Sequence, residues 1–323
     1  FLDKDFMKNL SVVIPDFKSE HLEQTINSSL LLGVEEIIIS NFRTEYTDSL
    51  KKRFSNVKGI RFLDFNEKKN PGDYRNEGAE KVTKDFILFL DSDIEITEKT
   101  KSFINNSIFN LASNEILWGH YENSKNLSLL QRLQINILRY RFSKNFYEYS
   151  LKKNIPYCGQ SSHFIISKKL FKNIGGFNPF LRMREDNDFC VRAKLIGVKN
   201  IFKEDFEAKH LKKFSMFTDY FLKPFFATKV KILEPKIFNQ PSSQIGLNLF
   251  FQWMILPLIL ILFLFLNTTF LFKNFFFSFY FFSNIFFLPK SLKNEMSLKE
   301  KILYSFLCPI IGIFFTAGGI TGI

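Results

Sequence analysis

A chain of 323 residues is long enough for one large domain or for one domain with an appendage. Its formal charge of +12 and pI of about 9.4 admit nucleic acid, anionic lipid or phosphorylated substrates as partners, and charge alone does not choose among them. Three scattered cysteines, Cys158, Cys190 and Cys308, with no C-x-x-C pair, exclude a disulfide framework and a zinc site and fit a reducing cytoplasm.

The opening FLDKDFMKN is too short and too acidic for a signal peptide, and the missing initiator Met admits a fragment. LSVVIP then predicts a first strand from Leu10, broken by Pro15. In HLEQTINSSLLLG, Leu22, Ile26, Ser29 and Leu30 share a helical face that Gly33 ends. EEIIIS predicts a second strand ending at Ser40, TEYTDSLKKRF a second helix, and GIRFLDF, residues 59–65, a third strand. This alternation argues for a parallel α/β sheet of the nucleotide-binding type.

NPGDYRNEGAEKV leads into KDFILFLDSDIEIT, residues 84–97. Phe86 to Leu90 is a continuous apolar run, which suits a strand covered on both faces of a parallel or mixed sheet. It ends in Asp91 and Asp93. Open α/β sheets bind ligands at the carboxyl ends of such strands, and two like charges so close are costly unless a cation neutralises them. The competing reading is a solvated acidic turn, since a D-x-D triplet alone has little specificity.

A second acidic cluster lies in GGFNPFLRMREDNDFCVR. Gly175 and Gly176 permit a tight turn, and Glu185, Asp186 and Asp188 precede a helix whose N-terminus favours negative charge. Asp188 and Arg192, four apart, read as a helix-face pair. His163 enters an apolar run and reads as packing or as lining a ligand site, while His210 follows the last predicted strand. LSLLQRLQINILRYRFSK, with Leu130, Leu133, Ile137 and Tyr140 on one face, lies on an anionic membrane surface, covers the acceptor site or packs on the domain. FSMFTDYFLKPFFATKVKIL, residues 214–233, has the same character.

The 43 phenylalanines crowd towards the C-terminus, so a mean hydropathy near zero hides a soluble part, residues 1–236, and a membrane part, residues 237–323. Apolar stretches at 247–267, 269–288 and 302–323 predict about three transmembrane helices across a hydrocarbon core of about 30 Å, the second only by borrowing residues before Lys273 and letting that lysine snorkel. Lysines cluster before the first stretch and again at Lys290, Lys293, Lys299 and Lys301 between the second and third. The positive-inside rule puts both clusters in the cytoplasm, so the first two spans return the chain to one side. The expected location is a multi-pass inner (cytoplasmic) membrane protein with a cytoplasmic soluble domain. Its basic partners are then membrane lipids and not nucleic acid.

Taken in order, LSVVIP, the segment with Asn70, Gly72, Arg75, Asn76 and Gly78, the strand FILFLDSD, and GGFNPFLRMREDNDFCVRAKLIG resemble a family 2 glycosyltransferase of the GT-A fold over about residues 10–215. The resemblance implies a Rossmann-like, mostly parallel mixed sheet flanked by helices and a nucleotide-diphosphate sugar donor. It also implies a D-x-D that holds Mg²⁺ or Mn²⁺ on the donor diphosphate and an E-D motif facing the acceptor. Asp93 is the implied metal ligand, with Asp91 on the ribose, the sugar or the same metal. His210 completes the metal site or touches the diphosphate. Asp186 is the implied catalytic base, with Glu185 as the alternate. The donor pocket draws on Pro15, Asp16, Glu20, Ser40, Asn41, Gly72, Arg75, Asn76, Asp91 and Ser92, where Arg75 meets phosphate or pins the loop by pairing with an acid. Gly72 and Gly78 serve backbone geometry.

Two departures stand out. The second strand ends Ser40-Asn41 where an aspartate usually reads the base, and Lys18 stands where an asparagine is usual. The expected function is an inverting, metal-dependent transfer of a sugar to a lipid-linked or glycan acceptor in cell-envelope synthesis. A catalytically inactive membrane scaffold and a processive polysaccharide synthase are the alternatives; the synthases usually carry a Q-x-x-R-W element, which is absent here.

Overall fold

After one helical turn, α1 (Asp5–Lys8), the chain alternates strand and helix as its periodicity predicts: β1 (Leu10–Asp16), α2 (Leu22–Leu30), β2 (Glu36–Phe42), α3 (Glu45–Arg53), β3 (Ile60–Phe65), α4 (Pro71–Lys81) and β4 (Phe86–Leu90). There follow β5 (Ile94–Ile96), α5 (Glu98–Ser107), β6 (Glu115–Tyr121), α6 (Lys144–Lys152), β7 (His163–Ser167), α7 (Lys168–Ile174), α8 (Glu185–Leu195) and β8 (Lys199–His210). The computed structural model describes residues 5–107, 111–122, 128–129, 132, 144–152, 154, 157–159, 161–212 and 297–304.

The sheet has the order β3-β2-β1-β4-β7-β6-β8-β5. The first four strands run parallel, β7 lies antiparallel to both β4 and β6, β8 is parallel to β6, and β5 is antiparallel to β8. This mixed sheet with flanking helices is the GT-A architecture. Between β1 and β4 the connections diverge to opposite sides, which opens a crevice at their carboxyl ends. Val12, Val13, Ile14, Leu88, Phe89 and Leu90 are fully buried on these central strands. At about 1.5 to 3 kcal/mol for each such side chain, they anchor the polar residues that follow.

Pro15 does not break β1. The strand runs on to Asp16 because past Val13 it pairs with β2 alone, so the donor that proline lacks is not needed on the other side. Helix α4 is capped by Asn70, whose N–H donates to Asp73 Oδ2 at 3.0 Å, and starts at Pro71. Gly78 is required inside this helix, since a Cβ there would stand 2.4 Å from Val13 Cγ1. The close approach brings Arg75, one turn earlier, over the sheet. Helix α8 begins at Glu185, so Glu185, Asp186 and Asp188 form its first turn and do not precede it.

The chain divides into two compact units. One comprises Phe1–Asn123, Phe142–Leu151 and Pro156–Lys212, and the other Ser124–Arg141, Lys152–Ile155 and Lys213–Ile323. In the second unit, residues 298–304 are helical and Ser297 caps them, its N–H donating to Glu300 Oε2 at 2.7 Å. Arg132 Nε stands 3.4 Å from the buried Glu300 Oε1. No helix among the described residues is long and apolar enough to cross a membrane. The expected spans 247–267 and 269–288 lie outside those residues, as does the third from residue 305 on.

Candidate active site

The carboxyl ends of β1, β2 and β3 put Asp16, Asn41 and Asp64 in one register row. Asn41 Nδ2 donates to Asp64 Oδ1 at 3.1 Å, and Lys51 Nζ donates to Asp64 Oδ2 at 2.5 Å. Asp16 Oδ1 accepts from the N–H of Ser19 at 3.0 Å, and burial pushes its carboxyl above the usual range. The buried Asp16 Oδ2 and Asn41 Oδ1 have no hydrogen-bond partner among the described residues. Ser40 belongs to the next register row with Pro15 and lies under α4, where the Cβ position of Gly78 is 3.6 Å from its own. It is therefore on the opposite face from Asn41, and the two do not read one base together. Glu20 is 86 % exposed beside His21.

Beyond β4 the D-S-D turn is tied down on several sides. The N–H of Asp91 donates to the carbonyl of Ser162 at 2.8 Å, and Ser19 Oγ donates to the carbonyl of Ser92 at 3.0 Å. The Asp91 carboxylate accepts from Arg75 Nη2 at 2.7 Å, while Arg75 Nη1 donates to Glu185 Oε1 at 3.0 Å. Arg75 is only 4 % exposed. The charge that Asp91 brings to the strand end is thus offset by the guanidinium of Arg75. Of the two roles open to Arg75, the structure gives it the acid-pairing one.

Two carboxylates around one guanidinium leave the triad with excess negative charge. Burial raises both carboxyls, opposed by Arg75; Glu185, beside Asp186, is pushed up to about 7. Asp186 is half-exposed and its Oδ1 accepts from the N–H of Asn187 at 2.8 Å. Glu185 is buried against Arg75, whereas Asp186 keeps part of its surface exposed. Asn76 differs from the donor-pocket role expected for it: Phe177 N–H donates to its Oδ1 and its Nδ2 donates to the Phe177 carbonyl, both at 2.8 Å. Gly72 lies under the same loop, where a Cβ would meet Phe177 Cβ at 3.0 Å. Both positions fasten the segment that carries Glu185 and Asp186.

Asp93 meets His210. The N–H of Leu211 donates to the Asp93 carbonyl at 2.8 Å, and Ile94 is in register with His210, so β5 fixes the histidine backbone beside the aspartate. His210 Nδ1 lies 3.0 Å from the Lys212 carbonyl. A carbonyl only accepts, so this contact assigns the proton to Nδ1 and leaves the Nε2 lone pair facing Asp93 Oδ2 at 3.7 Å. That separation is too long for a hydrogen bond and suits two ligands of one cation, each about 2.1 Å from it. Carboxylate with imidazole suits Mn²⁺, and a carboxylate with phosphate oxygens suits Mg²⁺. Among the described residues no group of three or more His, Cys, Asp or Glu forms a protein-only cage.

Sequence reasoning missed Asp64 and Ser162. Asp64 carried a signal, being an acid at a strand's carboxyl end one strand over from Asn41. Ser162 carried none beyond its place beside an apolar run. His163 is a packing residue, buried across Gly119, where a Cβ would stand 2.1 Å from its ring, and burial pushes its pKa down to about 3.

No curated protein sequence matches the chain. Among solved structures it is similar to the mannosyltransferase PcManGT from Pyrobaculum calidifontis, in complex with GDP-Man and Mn²⁺, with 10 % identity and a TM-score of 0.55 over 97 % of this chain and 86 % of that one. It also aligns with residues 1–349 of TarS from S. aureus, at 15 % identity and a TM-score of 0.49 over 97 % and 90 % of the two chains. The first likeness concerns the fold. The family model described as glycosyl transferase family 2 matches residues 11–175, slightly more than half of the chain and the stretch that supplies Asp16, Arg75, Asp91 and Asp93. The chain belongs to glycosyl transferase family 2.

Proposed function

We propose that the protein is a membrane-anchored, metal-dependent, inverting glycosyltransferase that moves a sugar from a nucleotide-diphosphate sugar to a lipid-linked or glycan acceptor in cell-envelope synthesis. The observation that carries this reading is the sorting of four acids at the strand end and the helix start: Asp91 and Glu185 bind the Arg75 guanidinium, while Asp93 stands 3.7 Å from His210 Nε2 and Asp186 is half-exposed. Asp93 and His210 would hold Mg²⁺ or Mn²⁺, which supplies positive charge to the leaving diphosphate when bound. The row Asp16, Asn41 and Asp64 lines the nucleoside end of the crevice. Asp186 receives the proton of the acceptor hydroxyl as its oxygen bonds to C1 of the sugar. The bond from C1 to the diphosphate breaks, its electron pair leaves on the diphosphate oxygen, and the configuration at C1 inverts.

The membrane part of the proposal rests on the sequence. Apolar stretches at 247–267, 269–288 and 302–323, with lysines before the first and after the second, favour a cytoplasmic catalytic domain on the inner membrane. A reporter fused after Lys293 should then behave as cytoplasmic, and periplasmic labelling there would refute the two-span return.

A panel of nucleotide sugars, assayed with Mn²⁺ for hydrolysis and for thermal stabilisation, tests the catalytic reading. One donor should be turned over and should stabilise the protein only with the metal, and Asp93→Ala should abolish that stabilisation. A chain that binds and turns over no donor is a scaffold. Undiminished Mn²⁺-dependent stabilisation in Asp93→Ala sinks the metal assignment.

A further inference from the structure

Asn41 lies near the end of β2 with its amide fixed in one orientation. Asp64, in register with it on β3, is a carboxylate and only accepts, so the contact at 3.1 Å assigns Nδ2 to Asp64 and leaves Oδ1 as the end not spent on it. The other Asp64 oxygen accepts from Lys51 Nζ of α3 at 2.5 Å, so the carboxylate is held from both sides. An asparagine ordinarily offers a donor and an acceptor, and here the donor is used up. Asn41 is fully buried, and its Oδ1 has no hydrogen-bond partner among the described residues. A buried acceptor without a donor is a cost to the fold, and the carboxyl end of a central strand is where open α/β sheets take a ligand.

An aromatic pair stands at the same strand ends. Phe17 and Phe42 directly follow Asp16 and Asn41, their rings lie 5.7 Å apart at 49°, and Phe17 is 42 % exposed. A half-exposed ring is free to shift. An apolar ring beside a single unpaired acceptor suits a flat ligand that brings its own hydrogen-bond donor.

We propose that Asn41 selects the base of the donor nucleotide, and that it selects a lactam edge, a ring N–H beside a carbonyl, as in uracil and guanine. This rests on the reading of the crevice as the site of a nucleotide-diphosphate sugar. The ring N–H donates to Asn41 Oδ1 once the Phe17 ring is displaced. Adenine and cytosine carry a ring nitrogen lone pair in that place, which sets two acceptors against each other. Asp64 is a positioning residue: it does not touch the base and acts by occupying the one donor of Asn41. A carboxylate would accept at either oxygen, whereas an amide can be turned, so in this chain the selection depends on Asp64.

The test is binding of nucleoside diphosphates to the full chain in detergent with Mn²⁺, read by thermal stabilisation over a concentration series. UDP against CDP, and IDP against ADP, are pairs that differ only at this edge, and GDP against UDP shows whether the site takes a purine or a pyrimidine. In the parent, the lactam member of the pair that binds should be favoured by about 10-fold or more, since its partner leaves the buried acceptor without a donor. Asp64→Asn should reverse the preference. Lys51 requires the new amide's oxygen, so its NH₂ faces Asn41, which turns to accept from it and offers Nδ2 to the base. The ratio within the pair should then fall by about 100-fold, from favouring the lactam to favouring adenine or cytosine. Should Asp64→Asn not fold, Asp64→Ala frees the amide to turn either way and should bring the ratio to within about 3-fold of one. The ratio is taken within one variant, so partial unfolding does not move it. A merely structural Asp64 would weaken both nucleotides alike, and an unchanged ratio overturns the proposal. A parent that binds CDP as tightly as UDP and ADP as tightly as IDP overturns it too, while the donor reading stands. Binding of none of the five diphosphates overturns the donor reading itself, and this inference with it.

Discussion

The strand end at Asp91–Asp93 and the helix start at Glu185–Asp186 are built from different elements and arrive at one arrangement. In each, the first acid, the inner one, pairs with Arg75, and the second, the outer one, does not. The difference lies in what faces the outer acid. Asp93 has His210 Nε2 at 3.7 Å, a partner suited to sharing a cation, whereas Asp186 has its own helix, accepting from the N–H of Asn187. On the proposed reading, a carboxylate beside an imidazole would hold the metal. One held at the mouth of a helix by a single backbone donor keeps lone pairs for a proton. Adjacent acids of similar charge are thus separated in role by their partners.

The most severe way to break this comparison is to remove the outer acid at the helix start. Asp186→Asn should lower transfer by about 10²- to 10⁴-fold while donor binding stays nearly intact, because the amide keeps the shape and cannot take the acceptor's proton. Glu185→Gln should lower it far less, since the amide oxygen still accepts from Arg75. Steady-state transfer with donor binding measured separately decides between the two acids. Full activity in Asp186→Asn with loss in Glu185→Gln would mean that the inner acid is the base.

Arg75 is the element common to both halves, and Arg75→Met should cost about 3 to 5 kcal/mol of stability, the range for stranding a buried charge. Lysine should not restore it, because one ammonium does not reproduce two separate contacts at 2.7 and 3.0 Å on opposite sides of a planar group. Thermal unfolding of the two variants against the parent measures this. A variant that melts with the parent would show that the two acids are solvated and not held.

Sequence periodicity carried the first half of the fold well, because β1, β2 and β4 are short apolar runs buried on both faces and alternate with helices that bury one. The second half was less legible. β6, β7 and β8 are joined by pairings far apart in sequence, and β8 is twelve residues with acids and lysines at its exposed edge, so no single window announces it. The acids themselves were visible as motifs, but the inner and outer sorting was not, because it depends on Arg75 lying over both. That position follows from Gly78, whose missing side chain lets α4 close on Val13. The tie of Asn76 to Phe177 was hidden because its neighbour across the fold is 101 residues away.

Excess negative charge around Arg75 also predicts a pH dependence. The Glu185 carboxyl is raised from 4.5 to about 7, chiefly by burial, so the folded chain holds a proton that the unfolded chain has released. Stability from this group is therefore present below about pH 4.5 and is lost as pH rises through about 7, by an amount on the order of 1 to 3 kcal/mol. Glu185→Gln keeps the neutral form at every pH and should flatten that slope. Denaturation at pH 5, 6, 7 and 8 compares the two chains. A parent that gains stability over this range would show that Glu185 is ionised throughout, paired with Arg75.

The smallest effect sharpens the comparison most, because it concerns a third acid in the same helical turn. Asp188 Oδ2 accepts from Arg192 Nε at 2.9 Å and Nη2 at 2.7 Å. Arg192 also donates to the carbonyls of Ile174 and Gly176, each at 2.7 Å, and so closes the turn in which Gly175 and Gly176 adopt φ of 90° and 65°. Asp188→Asn retains an acceptor for Arg192 and both carbonyl contacts, so the loss should be only about 0.5 to 1 kcal/mol, as for a partly exposed pair. Transfer should stay within about 2-fold of the parent if no proton moves through this acid. Were negative charge near the helix start all that the reaction needs, Asp188→Asn and Asp186→Asn would slow transfer alike, both being one residue's charge in the same turn. Unequal rates with nearly equal melting temperatures would assign the chemistry to the orientation of Asp186, and equal rates would remove its claim to be the base.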